Sequence, residues 1–191
     1  MTVFFGHYPQ EGDELEPIEW LVIHEQGEQI LLLAKDCLAS LPWHNVHTPI
    51  TWDRSDIRAW LNGEFLHVAF TEEEQAAILL TDLDNGDDLG YGTLAGDSTQ
   101  DKVFLLSGGE AEQYLTTDDL RTVVPTHYAL SQGAYTNSEG LCAWWLRSPG
   151  MTDTSPAYLS SSGSIGNRAH EVDETIIGVR PAIWIDQSAL H

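Results

Sequence analysis

Nine residues, CAWWLRSPG from Cys142 to Gly150, set two large rings, a leucine and a guanidinium side by side ahead of a Ser-Pro-Gly stop. In a strand, alternate side chains face opposite ways, so Trp144 and Leu146 share one face and Trp145 and Arg147 the other. Trp144 then reads as core. Trp145 and Arg147 are the pair able to do recognition chemistry, a flat apolar platform beside a planar, permanently charged donor. The competing reading packs Trp145 under a helix and closes Arg147 into a buried ion pair with one of the chain's many carboxylates.

A second cluster follows in AYLSSSGSIGNRAHE. Tyr158, Ser160, Ser161, Ser162, Ser164, Asn167, Arg168 and His170 are adaptable hydrogen-bonding groups around an aromatic, the composition favoured on surfaces that contact a partner. An ordinary polar hairpin facing water has the same look. The expected ligand-contacting set is therefore Trp145, Arg147, Tyr158, Ser160, Ser162, Asn167, Arg168 and His170.

Hard oxygen donors collect in TDLDNGDDLGYGTLAGDSTQD, where Asp82, Asp84, Asn85, Asp87, Asp88, Asp97 and Asp101 lie on a glycine-rich stretch suited to Ca²⁺. The spacing is not that of an EF-hand, because Gly86 stands where the third acidic ligand belongs and no glutamate closes the loop. The expectation is a solvated acidic loop and no resident cofactor, with calcium the one ion that the composition admits. Thiol and imidazole chemistry has few candidates: Cys37 and Cys142 lie far apart in sequence, and WHNVH supplies His44 and His47 between Pro42 and Pro49. No phosphate loop, nucleophile elbow or His-Glu-x-x-His helix is present.

The elements that must carry these groups are legible in outline. IEWLVI and QILLLA read as a β-hairpin. DRSDIRAWLNGEF reads as a helix capped by Asp53 or Ser55 and ended at Asn62-Gly63. Thr71 with Glu74, and Ser107 with Glu110, are capping boxes that open two further helices. DKVFLLS and CAWWLRS have strand composition, and THYALSQ forms a short helical turn. SPAYLSSSGSIG turns at Ser162-Gly163, and IIGVRPAIWI closes the chain as one strand. Strands at both ends around central helices give an α+β class, in one domain over residues 1–191.

Thirty acidic residues against eight basic ones give a net charge of −22, which repels phosphate backbones and excludes nucleic acid as a natural partner. The charge is uneven. Between Glu72 and Asp119 there are thirteen acids and one base, whereas 140–170 holds Asp153 against Arg147 and Arg168. No apolar run is long enough to span a membrane and the first residues, MTVFFGHYPQEGDE, show no basic leader followed by an apolar block, so a cytoplasmic location is expected, or a surface or extracellular one if the chain is part of a longer protein.

Taken in order, IEWLVI, TWDRSDIRAWLNGEF, AFTEEEQAAI, DKVFLLS, AWWLRSPG and GVRPAIWI resemble an uncharacterised bacterial domain family marked by WLRSPG and VRPA motifs. The closing GVRPAIWI is also similar, more distantly, to the end of the C-type-lectin-like fold of formylglycine-generating enzymes and retroelement variable proteins. That resemblance implies a small sheet with the N- and C-terminal strands paired, flanking helices and a ligand surface in the loop-rich C-terminal half. The expectation drawn from it is a non-enzymatic recognition or display domain for a protein or glycan. The alternatives are an enzyme derived from the formylglycine-generating fold, using Cys142 or the loop histidines, and a structural module of a larger assembly.

Overall fold

The computed structural model describes residues 1–190. The chain opens with β1 (Thr2–Pro9), β2 (Leu15–Gln26), β3 (Gln29–Ala34) and the short β4 (Ala39–Ser40). A helical stretch follows: α1 (Asp56–Trp60), a π turn (Leu61–Phe65), α2 (Leu66–Ala69) and α3 (Glu72–Ala77). Next come β5 (Thr81–Leu83), β6 (Thr99–Asp101), β7 (Val103–Phe104), α4 (Gly108–Tyr114), α5 (Asp118–Arg121) and α6 (His127–Ser131). The last third holds β8 (Trp144–Thr152), β9 (Ser155–Leu159), β10 (Ile165–Gly166), β11 (Gly178–Val179) and β12 (Ala182–Asp186). The α+β class holds, with two five-stranded sheets and one hairpin.

The first sheet has the order β1-β2-β3-β12-β7. Its centre is β3, whose Ile30 to Ala34 are all buried, so both faces of that strand are covered. A strand of this kind needs a neighbour on each side. β2 supplies one across a two-residue turn where Gly27 takes φ +65°, and β12 supplies the other, Trp184 opposite Leu31. This corrects the expected pairing of the terminal strands: IEWLVI and AIWI flank β3 and do not touch as partners, and the true N-terminal strand β1 pairs only with β2. β1 itself is not evident from sequence because its alternation is broken at Gly6, which takes φ +69° at a register shift. A Cβ there would lie 2.5 Å from the Phe70 ring.

The second sheet, β10-β9-β8-β11-β4, carries the C-terminal third. GVRPAIWI is not one strand. It leaves the second sheet after Val179 and enters the first at Ala182, with Arg180 and Pro181 making the crossing. Pro181 gives up no backbone donor there, while its carbonyl accepts from Ala34 N at 2.9 Å.

Both capping boxes form, Thr71 with Glu74 and Ser107 with Glu110, and Ser55 caps α1. The expected stop at Asn62-Gly63 fails. Asn62 instead turns its amide onto β7, donating to Val103 O at 2.8 Å and accepting from Lys102 N at 2.9 Å. The helix widens by a π turn and runs on to bury Phe65, Leu66 and Ala69, an apolar gain that outweighs a local stop signal. Helices and both sheets share one cluster of buried side chains.

Candidate functional site

The WLRS motif turns inward. Trp144 and Trp145 are fully buried, and Arg147 is 5% exposed. Trp144 Nε1 donates to Arg121 O and Trp145 Nε1 to Leu41 O, so each indole N–H finds a carbonyl. Arg147 forks onto Glu110, gives Nε to Asn85 Oδ1 at 3.2 Å and Nη1 to Leu105 O at 2.9 Å. Ser148 Oγ donates to Asp88 and accepts from Gly108 N, and Asp88 also takes Gly109 N. The motif thus rivets the start of α4 and the acidic loop to β8. Trp145 and Arg147 are corrected as contact residues, because a ligand outside the molecule cannot reach them.

All but one of the acidic loop's oxygen donors already have a side-chain partner in the protein, Asp97 being the exception. Asp82 takes Gln100, Asp84 takes Gly86 N, Asp87 takes the amides of Gly90 and Gly92, and Asp101 takes Arg58, Trp52 and Thr99. Asn85 is buried and gives its amide to Asp97 O and Thr99. Among the described residues no group of three or more His, Cys, Asp or Glu converges as a metal site would require. The acidic stretch, expected as a solvated loop, is closed at its ends by the β5–β6 hairpin.

Three of the expected residues do meet. Tyr158, Ser160 and His170 line one cavity of about 210 Å³, with Tyr135, Leu141, Ala143, Ser161, Ile176 and Ile177 completing its wall. β9 brings Tyr158 in. Gly166 on β10 leaves room for its ring, since a Cβ there would sit 2.1 Å from Tyr158 Cζ. Burial, and after it the Glu174 carboxylate, push the Tyr158 hydroxyl above its usual value, so it stays a neutral donor. Gly163, at φ +81°, turns the hairpin, and Ser160 closes it by accepting from Ser164 N and sharing a hydrogen bond with Ser162.

His170 stands edge-on to Tyr158 at 4.5 Å between ring centres and to Trp145 at 6.3 Å. Its Nδ1 lies 2.7 Å from Glu174 Oε2, which fixes the ring and leaves Nε2 free of that contact. Trp145 therefore serves the cavity from beneath, as packing for His170. Ser162 is exposed at the hairpin tip. Asn167 and Arg168 point the other way, Asn167 to the Tyr91 hydroxyl and Arg168 to Met151 Sδ.

Tyr135, 68% exposed, and Ile176, 39% exposed, are the residues that sequence reading missed. The Tyr135 N–H to Ile176 O bond of 3.0 Å places them together at the mouth. An aromatic two positions after Gly133 in an irregular stretch was the available signal.

The enzyme alternative named Cys142 and the loop histidines, whose positions are these. Cys142 is buried against Cys37. His44 Nδ1 lies 2.7 Å from Asp56 and His47 Nδ1 3.0 Å from Asp173, each imidazole facing a carboxylate.

Three larger hollows lie elsewhere, one of them beside Trp184, lined by Gln26, Gln29, Leu79, Leu80 and Thr81. The one between β1 and α3 contains Glu74, already bonded to Gly6 N and Thr71 N, and the one by Leu94 contains Asp53, bonded to Thr51 and Arg54.

Residues 27–187 match the model of a family described as a domain of unknown function, DUF6273. The chain belongs to that family. No curated protein and no solved structure matches it. The family span takes in the second sheet, the acidic loop and the whole Tyr135–His170 cavity, and begins in the turn between β2 and β3. Among the described residues no helix is long and apolar enough to cross a membrane.

Proposed function

We propose that this domain is a non-enzymatic recognition module of C-type-lectin-like character that holds a ring-shaped group of a protein or glycan ligand in the Tyr135–His170 cavity. The observation that carries this reading is an exposed tyrosine at the mouth of a small aromatic recess furnished with hydroxyls and an oriented imidazole. Apolar walls with a few convergent polar groups are what small-group binding sites share. A tyrosine supplies large contact area at little entropic cost. The loop-built C-terminal cavity is the feature in keeping with the lectin-like comparison. The recess draws on the near-neutral 140–170 stretch, with the Glu174 carboxylate beside His170, so it suits a neutral ligand better than an acidic one.

The test is an amide-shift titration of isotope-labelled protein with two probe sets, methyl glycosides and N-acetylated aromatic amino-acid amides. Shifts are expected to gather at Tyr135, Ser160, His170 and Ile176, and whichever set moves them names the ligand class. Tyr135→Ala and His170→Ala are expected to weaken that binding about tenfold or more with little change in melting temperature. Shifts gathered around Phe4, His7 and Leu190 instead would overturn the site.

A further inference from the structure

Cys37 and Cys142 are 105 positions apart in sequence, yet their sulfurs are 3.5 Å apart in the fold. We propose that the two are an oxidisable pair, a latent disulfide that staples the loop after β3 to the entrance of β8 beneath the Tyr135–His170 cavity.

The backbones of both cysteines are clamped by one segment. Cys37 N donates to Val124 O, Thr126 N to Cys37 O, and Cys142 N to Val123 O, each at 3.0 Å. Gly178 presses from the opposite side, where a Cβ would stand 2.5 Å from Cys37 Sγ. The sulfurs face each other with no other hydrogen-bond partner, and a disulfide of about 2.05 Å needs them to close by roughly 1.5 Å, a distance within reach of side-chain rotation.

Arg180 adds a second feature. Its buried guanidinium lies over Trp144 and bonds only to the carbonyls of Ala34, Lys35 and Leu120. Burial lowers it to about 10, while the neighbouring Cys37, Asp36 and Cys142 act in the other direction. A cation without a bonded carboxylate beside two thiols favours the thiolate that exchange requires. Burial, followed by the hydrogen bond and charge of Cys142, holds the Cys37 thiol well above its ordinary value, so the closed fold is slow to react and oxidation proceeds during folding or local opening.

With oxidised glutathione as the oxidant, one cysteine thiolate attacks its disulfide and expels one glutathione. The second thiolate attacks the protein sulfur of the mixed disulfide and expels the other. Two electrons pass from the protein sulfurs to glutathione, and the two thiol protons end on the two glutathiones released. Leu141 and Ala143, on either side of Cys142, and Ile177, beside Gly178, line the cavity, so the bridge would form directly under its floor. The bridge stands independently of what the cavity binds.

The test uses the whole chain, once as folded protein and once refolded from denaturant, in a glutathione redox buffer. It is followed by thiol alkylation under denaturing conditions and intact mass measurement. The expected product is a monomer that has lost two hydrogens, takes no label and regains both labels after dithiothreitol. A loop of this length should raise its melting temperature by roughly 10 °C over the reduced form. Cys142→Ala, compared with and without oxidant, should show no oxidant-dependent shift. Two labelled thiols after refolding, glutathione adducts, or disulfide-linked dimers would each overturn the pair, and a bridged monomer that melts no higher would overturn its role as a staple. Bridging only on refolding, with the expected shift, supports it.

Discussion

Arg147 is a cation almost wholly withdrawn from water, and such a group stabilises a fold only if every donor is matched. Here the fork meets Glu110, Asn85 and Leu105 O, and its carbon lies 5.8 Å from the Phe104 ring centre. Removing it takes the cation from Glu110 and the donor from the Asn85 carbonyl, loosening the tie between β8 and the acidic loop. Arg147→Met is therefore expected to lower the unfolding free energy by roughly 3 kcal/mol in urea denaturation. Arg147→Lys should lose somewhat less, because an ammonium keeps the charge but cannot reach all three partners at once. A methionine variant as stable as the parent would mean that the network contributes nothing net. The same physics explains Arg180 at the sheet crossing: both arginines of the sequence motifs are interior braces.

At the scale of elements the acidic loop is the clearest case of composition misleading. Seven oxygen-bearing side chains within twenty residues suggest a hard-cation site, but the fold engages all of them except Asp97, tying the β5–β6 hairpin, capping its turns and holding the start of α4. Binding Ca²⁺ would require breaking those bonds. Melting curves in millimolar Ca²⁺ and in excess chelator are therefore expected to superimpose. A shift of several degrees, the size that saturation at about a hundred times the dissociation constant produces, would show that the loop rearranges around the ion. Local signals served well where a few neighbouring residues decide the outcome. Ser55, Thr71 and Ser107 cap as their spacing implies, and the β2–β3 and β9–β10 turns fall where Gly27 and Gly163 permit them. They failed where distant partners decide: Asn62 is captured by β7, Arg180 and Pro181 divide one apparent strand between two sheets, and Arg147 meets Glu110 from 37 positions away. Of the candidate site, Tyr158, Ser160 and His170 were legible from composition. Tyr135 and Ile176 were not, since their pairing is a backbone bond across 41 positions of irregular chain.

For the molecule as a whole, a net charge of −22 means that bringing the chain together works against its own repulsion. Attractions between distant parts then matter most where a histidine can take a proton. His44 N donates to Val172 O, and beside that bond His47 Nδ1 lies 3.0 Å from Asp173, joining the 41–50 loop to the 170–174 segment. The hydrogen bond to Asp173, with the charges of Asp173 and Glu171 behind it, holds His47 above its ordinary 6.5. The same bond, and then the His47 charge, hold Asp173 below 3.8. A raised imidazole stabilises the fold fully below its unfolded value and loses that contribution as pH rises through the folded one. A lowered carboxylate stabilises it above its unfolded value and loses that contribution as pH falls. The pair therefore works between about pH 4 and pH 6.5 and fades above. Both groups face solvent, so the effect is small and best read at low salt, before screening removes it. His47→Ala is expected to lower the melting temperature near pH 5.5 and to leave it unchanged at pH 8.5. An equal loss at both pH values would place the attachment of this loop in the packing of Trp43 against Trp52, 6.0 Å apart in the core, rather than in the charge pair above them.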